Sequence, residues 1–390
     1  MTTSNKKIRI LGKGITALAL KDKFPNATLY DDNDFNQYNL DSNEYTVVSP
    51  GIPPYNNMVL NSKNLISDYD LFASTMPFSI WISGTNGKTT TTQMCQHLLG
   101  EYGSIYGGNI GVPLSHLDEK APIWILETSS FTLHYTNKTK PNIYILLPIS
   151  EDHITWHGSF EEYKNAKLKP LSLMNENDIA IIPDEFKDIK TNAHLITYNN
   201  SDDLCNQFGI EKNRIKFKEP FLLDAVLAMA TRKIIFDEVK YELINEFIID
   251  KHKVEEFKDN KNRLWIDDSK ATNVDATINA IVPYKEKEIH IILGGDDKGA
   301  NLVPLFENIK DINITVYAIG TNSEKIANYC KKYDIKVENC LYLNIAVNKI
   351  DLNLDENSVA MLSPAAASLD QFRSYAHRGD EFKKLVFDLS

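Results

Sequence analysis

The sequence predicts an α/β protein with mostly parallel sheets, and three features predict it. Short runs rich in Ile, Leu and Val recur without polar alternation, as strands buried on both faces do. Stretches with helical spacing lie between them, as at Thr89–Leu99 and Phe160–Lys169. Gly-rich turns join strand to helix, as in Gly12-Lys13-Gly14-Ile15-Thr16-Ala17 and Gly84–Thr90. A chain of 390 residues exceeds one ordinary core, and at roughly 150 residues per domain two or three are expected.

The strand-like runs fall into three segments. The first, 1–76, holds Ile8–Leu11, Ala27–Tyr30 and Thr46–Ser49. The second, 77–248, holds Ser79–Ser83, Ile123–Glu127, Ile143–Leu147 and Ile179–Ile182. The third, 249–390, holds Leu264–Asp267, Ile289–Leu293, Thr315–Ile319 and Val359–Leu362, and reads as a second α/β unit.

Composition narrows the function. Hydrophobic residues make up 43% and charged residues 24%, which is ordinary for a soluble globular chain. The net charge of −11, from 53 acidic and 42 basic residues, argues against general binding of nucleic acid or an anionic membrane. Anionic substrates remain open, since a few cations and helix N-termini suffice to hold them. The four cysteines form no CxxC pair and read as reduced structural thiols, so a cytoplasmic setting is expected. The polar start, Met1–Lys7, carries no signal-peptide pattern, and runs such as Ile143–Ile149 are too short to span a bilayer.

Ser83-Gly84-Thr85-Asn86-Gly87-Lys88-Thr89-Thr90 follows a strand and opens a helix, as a phosphate-binding P-loop does. Its backbone amides cradle phosphates, Lys88 reaches the outer ones, and the Thr89 hydroxyl suits Mg²⁺. The strict pattern wants a glycine where Ile82 stands, so the loop is a shorter variant. Kinases, motors, GTPases and ligases all use such a loop, and a plain helix-capping turn is the bland alternative.

Three further residues bear on that choice. Glu127 ends a strand, at the edge where α/β sheets bind ligands, and suits Mg²⁺; a surface helix-capping acid is its bland reading. His153, in Ser150-Glu151-Asp152-His153, lies past another strand at the same edge, or is a satisfied loop histidine. Ser159 with Glu162 reads as a capping box, and Phe160, Tyr163, Lys167 and Leu171 follow on one helical face, turned inward. A buried lysine sheds its proton more readily, and a neutral amine captures CO₂ as a carbamate, an oxygen ligand for Mg²⁺. A snorkelling surface lysine is the alternative.

Together these stretches resemble the Mur ligase family. The likeness runs through Gly84–Thr90, Glu127–Phe131, Glu151–His153 and Ala166-Lys167-Leu168. It continues through Trp265–Asn273, Leu293–Lys298, Ser363–Phe372 and Arg378-Gly379. Residues 1–76 match more loosely, and about 184–218 hardly at all.

The resemblance implies three α/β domains: a Rossmann-like domain for a UDP-sugar, a central P-loop ATPase domain and a Rossmann-like domain for an amino acid. It implies an ATP-dependent ligase that makes an amide through an acyl-phosphate in cytoplasmic peptidoglycan-precursor synthesis. The implied partners are UDP-N-acetylmuramoyl-L-alanine, D-glutamate and ATP, with two Mg²⁺ sites and a CO₂-derived carbamate on Lys167, in a monomer. Lys88, Thr89 and Glu127 then take the γ-phosphate and one metal, and His153 and Lys167 the second metal or the acyl-phosphate. Asn109 contacts the muramoyl part.

Alone, Gly12-x-Gly14-x-x-Ala17 with Asp31 downstream suggests a weak dinucleotide fingerprint. The resemblance points instead to a UDP-sugar, with Gly14, Ile15, Thr16, Asp31, Asp32, Ser49 and Gly51 as candidates. It assigns Lys270, Thr272, Lys298, Ser368, Leu369 and Tyr375 to the amino acid and Asp268 to the nucleotide. Ser368 with Gln371 reads as a capping box, and the helix N-terminus as a carboxylate site. Tyr375 stands where the family pattern has phenylalanine. Lys253 stands where the pattern has arginine, which keeps the charge and loses the forked contact. Phe221 and Asp224 fall on two asparagines of the adenosine site; Asp224, inside an apolar helix, remains a ribose or amide candidate.

Overall fold

The computed structural model describes residues 8–38 and 44–389; the polar start, Met1–Lys7, lies outside them. The first sheet has four parallel strands: β1 (Arg9–Leu11), β2 (Thr28–Tyr30), β3 (Thr46–Val48) and β4 (Leu65–Ile66), in the order β2-β1-β3-β4. The helix Ile15–Lys23 follows β1 through the Gly-rich turn.

The second sheet has six parallel strands: β5 (Phe78–Ser83), β6 (Ile105–Gly108), β7 (Ile123–Glu127), β8 (Ile143–Leu146), β9 (Ile179–Pro183) and β10 (His194–Tyr198). Their order is β10-β9-β8-β5-β7-β6. The chain leaves β5 toward β6 on one side, and β8 lies on the other. Connections therefore diverge at the C-terminal end of β5, the crevice where open α/β sheets take ligands. The first two sheets share one apolar cluster, which includes Ile10, Trp81, Trp124 and Leu146, all inaccessible to solvent.

The third sheet holds β11 (Glu255–Lys258), β12 (Leu264–Asp267), β13 (Glu288–Gly294), β14 (Ile314–Ile319), β15 (Lys336–Leu341) and β16 (Ser358–Leu362). Its order is β11-β12-β16-β13-β14-β15, parallel except for β11. Successive residues serve opposite faces. Ile266, Ile291, Val316 and Met361 fill one core, and Trp265, Ile292, Tyr317 and Leu362 the other. The described chain divides into two compact units. One runs up to Phe217 and includes Phe221–Phe247; the other comprises Lys218–Pro220 and the residues from Ile248 onward.

Some expectations need correction. The helix expected to end at Lys169 runs from Phe160 to Leu173 with Pro170 inside it. Tyr163, Lys167 and Leu171 face inward as expected, at 1%, 1% and 0% exposure, whereas Phe160 is 37% exposed. At Ser159 only the forward half of the capping box is seen, its hydroxyl accepting the Glu162 amide at 3.1 Å. Ser368 caps no helix. It begins a turn in which its carbonyl accepts the Phe372 amide at 2.8 Å, while the Gln371 side chain donates to the Leu341 carbonyl at 2.9 Å. The next helix is Tyr375–Phe387, capped by Ser374, so no helix N-terminus lies at Ser368 to hold a carboxylate.

All four cysteines are buried and free. Among the described residues no helix is long and apolar enough to cross a membrane.

Candidate active site

The P-loop occupies the turn between β5 and the helix Lys88–Leu99. Gly84 has φ 136°, and a Cβ there would lie 2.4 Å from Leu147 Cβ, so only glycine fits. The loop is stitched to its neighbours through Thr85. The Thr85 amide donates to the Pro148 carbonyl at 3.0 Å, and its hydroxyl accepts the Ser150 amide at 2.9 Å and lies 2.9 Å from the Tyr163 hydroxyl. Those contacts bind the loop to the segment that leads to His153 and to the helix that carries Lys167. Lys88 Nζ donates to the Thr85 carbonyl at 2.7 Å, Asn86 is half-buried, and Thr90 is buried.

Glu127 sits at the end of β7, paired in register with Ile82 of β5, and is 3% exposed. Its two oxygens are claimed separately. Thr89 Oγ1 donates to Oε2 at 2.8 Å, and Asn109 Nδ2 donates to Oε1 at 2.7 Å. A hydroxyl and a carboxylate this close form an oxygen pair suited to Mg²⁺, which takes oxygen donors and few protein ligands. Asn109, expected at the muramoyl part, is thus also a support for Glu127.

Lys167 is 1% exposed, and its amine donates to the Gly84 carbonyl at 2.7 Å, with the Tyr163 ring centroid 4.7 Å away. Burial drives its pKa well below 10.5; the Lys88 charge pushes the same way, against Asp152 and Glu127. These surroundings suit a neutral amine, the form that reacts with CO₂. His153 has φ 53°, in the left-handed region that a β-carbon disfavours, so the segment holds it under strain. Its ring lies 4.8 Å from that of Phe131. The structure therefore gathers Gly84–Thr90, Asn109, Glu127, His153 and Lys167 around the C-terminal edge of the second sheet.

In the first sheet, Gly14 caps the helix Ile15–Lys23, and Ile15 is 80% exposed beside half-buried Thr16. Asp31 caps the turn Asp32–Gln37 and pairs with Lys13 at 2.8 Å, and Asp32 accepts from Asn56 Nδ2 at 2.7 Å. Ser49 is buried and donates its amide to the Leu11 carbonyl at 2.8 Å, while Gly51 is exposed.

In the third sheet the candidates share the strand ends. Asp268 is 5% exposed, accepting the Ser363 hydroxyl at 2.6 Å and the Val254 amide at 3.2 Å. Burial pushes its pKa up to about 7. Lys270 Nζ lies 4.1 Å from the Tyr375 ring centroid. Paired backbone bonds at 2.9 and 2.8 Å join Asp296 to Ala367, bringing the Lys298 turn beside buried Ser368. Lys298, Thr272 and Leu369 are exposed at this edge, and Lys253 pairs with Asp250 at 3.0 Å.

Two groups were not read from the sequence. Arg378, quoted without a role, is 1% exposed and grips two loops at once. It donates to Ser269 Oγ at 2.9 Å, the Ser269 carbonyl at 2.8 Å and the Ala366 carbonyl at 3.1 Å. His252, Glu255 and Asp267 bring ligand atoms within 4.8 Å of one another. Lys383 Nζ is 2.8 Å from Glu255 and 3.8 Å from Asp267, so an internal ammonium already supplies the positive charge there. No local motif signals either group: Arg378 and Lys383 reach these loops from the helix Tyr375–Phe387, and Glu255 meets Asp267 only through the antiparallel pairing of β11 with β12.

Comparison with known proteins bears on the family and the fold. Residues 82–220 match the model of the Mur ligase middle domain. A UDP-N-acetylmuramoylalanine–D-glutamate ligase from Campylobacter jejuni is 50% identical over 398 residues, covering 97% of this chain and 99% of its own. One from Helicobacter pylori is 43% identical over 419 residues, with 97% and 99% covered. The crystal structure of MurF ligase from Thermotoga maritima in complex with ADP superposes with a TM-score of 0.62 at 14% identity, covering 99% of this chain and 96% of that one. Escherichia coli FolC in complex with DHPP and ADP gives 0.56 at 12%, covering 80% and 90%. These last two are likenesses of fold. On the near full-length identity to the first two relatives, the chain belongs to the Mur ligase family, in the group of UDP-N-acetylmuramoylalanine–D-glutamate ligases.

Proposed function

We propose that this chain joins D-glutamate to UDP-N-acetylmuramoyl-L-alanine with ATP, in the synthesis of peptidoglycan precursors. The observation that carries the reading is the set Lys88, Thr89 and Glu127 at one sheet edge, in a chain that matches a ligase of that name over 97% of its length. The proposed division of labour is 1–76 for the UDP-sugar, 77–248 for ATP and 249–390 for the amino acid. The proposed working form is a monomer in the cytoplasm.

A carboxylate resists attack by an amine because it is anionic and has a poor leaving group. Transfer of the γ-phosphoryl group of ATP, with ADP leaving, turns it into an acyl-phosphate. The neutral amine of D-glutamate then attacks the acyl carbon, inorganic phosphate leaves, and the amide forms as the nitrogen loses a proton. Transfer between two anions requires their charge to be offset. The amides of Gly84–Thr90 and the Lys88 ammonium act on the phosphates, and Lys88 exchanges the Thr85 carbonyl for them. Thr89 and Glu127 would hold one Mg²⁺, which adds charge neutralisation at the phosphates. Carbamylated Lys167 and His153 would supply ligands to a second. The Gly84 carbonyl, which now accepts from the Lys167 amine, still has an N–H to accept after carbamylation. Asp268 and Lys253 serve the nucleotide, and Lys270, Thr272, Lys298, Ser368, Leu369 and Tyr375 the amino acid.

The test is ADP release from purified protein with ATP, Mg²⁺, UDP-N-acetylmuramoyl-L-alanine and a panel of amino acids, with Lys88→Ala as control. Release should require the UDP-sugar and D-glutamate together and vanish in the control. Release with neither acceptor present, or with another amino acid in preference, would contradict the assignment.

A further inference from the structure

The helix Phe221–Phe236 is apolar over most of its length, yet it carries Asp224 in its first turn, 3% exposed. That carboxylate lies against the back of the P-loop. Its Oδ1 accepts the Thr91 hydroxyl at 2.6 Å. Thr91 sits one turn into the P-loop helix, where its amide donates to the Gly87 carbonyl at 2.9 Å. Asp224 Oδ1 also stands 2.7 Å from where a Cβ on Gly87 would be. Gly87, with φ 82°, is the residue that turns the loop into the helix ahead of Lys88. The turn is thus held on two sides, by Thr91 through its carbonyl and by Asp224 against its α-carbon. A buried carboxylate needs hydrogen-bond donors to offset lost hydration, so its bond to Thr91 is one it keeps.

We infer that Asp224 is a positioning residue for ATP, acting through Thr91 and Gly87 to fix the loop that presents Lys88 and the backbone amides to the phosphates. This replaces the expected ribose or amide contact, and it rests on the ATP-site reading above. The helix Phe221–Phe236 thereby becomes part of the phosphate site, although more than a hundred residues separate it from the loop.

The test is a double-mutant cycle on the full-length enzyme with Thr91→Val, Asp224→Ala and both together, beside Asp224→Asn, which keeps an oxygen acceptor. Each single removal should raise the KM for ATP about tenfold or more, the range for losing a hydrogen bond to a charged group. The KM for D-glutamate should stay within about twofold, which a general loss of structure would not spare. The double variant should be no worse than Asp224→Ala, because both act along one path, and Asp224→Asn should recover most of the loss. Additive losses overturn the inference. So does a silent Thr91→Val beside an Asp224→Asn enzyme that exchanges ATP for GTP, since Asp224 would then read the base. Should Asp224→Ala fail to fold, Thr91→Val against Asp224→Asn carries the same decision. Wild-type protein that releases no ADP would remove the ATP reading itself, whereas wild-type turnover with a silent Thr91→Val removes this inference alone.

Discussion

Asp268→Asn isolates the charge that the third sheet buries. Burial carries the Asp268 carboxyl from its ordinary 3.8 to about 7, against the Ser363 and Val254 hydrogen bonds that favour its charged form. Between those two values the native chain keeps a proton that the unfolded chain has released. Stability therefore falls as pH rises through the window, by about 1.4 kcal/mol per pH unit, and the loss reaches about 4 kcal/mol near neutrality and then levels off. Asparagine keeps the shape and removes the titration. Denaturant melts of both proteins at about pH 5, 6, 7 and 8 give the difference directly. It should drift in favour of the variant by about 2–3 kcal/mol from pH 5 to 7 and stay flat above that. A difference independent of pH, or one that drifts toward the wild type, would refute the burial argument.

Lys167→Ala should lose most ligase activity and regain part of it with a small carboxylic acid that replaces the carbamate; full activity without the acid would exclude a carbamate role. Gly84→Ala should lower stability by about 2–4 kcal/mol, because the new Cβ meets Leu147 and the backbone keeps its left-handed φ. An unshifted melting temperature would contradict that packing. Lys298→Ala and Ser368→Ala should raise the KM for D-glutamate more than the KM for ATP, and equal effects on both would contradict the placement of the amino acid at the third sheet.

The expected strands that the structure contains are mostly those buried on both faces, such as Ile143–Leu146 and Ser358–Leu362. The strands not read were β4, β6, β10, β11 and β15, and every one of them is a sheet edge. An edge strand has one ladder side open and needs less apolar sequence. Ile105-Tyr106-Gly107-Gly108 and Lys336-Val337-Glu338-Asn339 accordingly lack the continuous apolar run by which the interior strands are read. Ser368 failed as a cap for a different reason. A capping box is a local pattern, and here the Gln371 side chain finds the carbonyl of Leu341, on a distant strand.

What the sequence alone determined is whatever rests on neighbours along the chain: the interior strands, the P-loop before its helix, the acid ending β7 and the inward stripe that buries Lys167. These follow from periodicity and from spacing within a few residues. Only the tertiary structure decided which partner each charged group takes. Asp224 belongs to the P-loop because its helix packs against the helix Lys88–Leu99, and Lys383 fills the space among His252, Glu255 and Asp267 because the last helix returns to β12. A buried charge is stable only beside a partner, and folding chooses that partner from residues far apart in the chain.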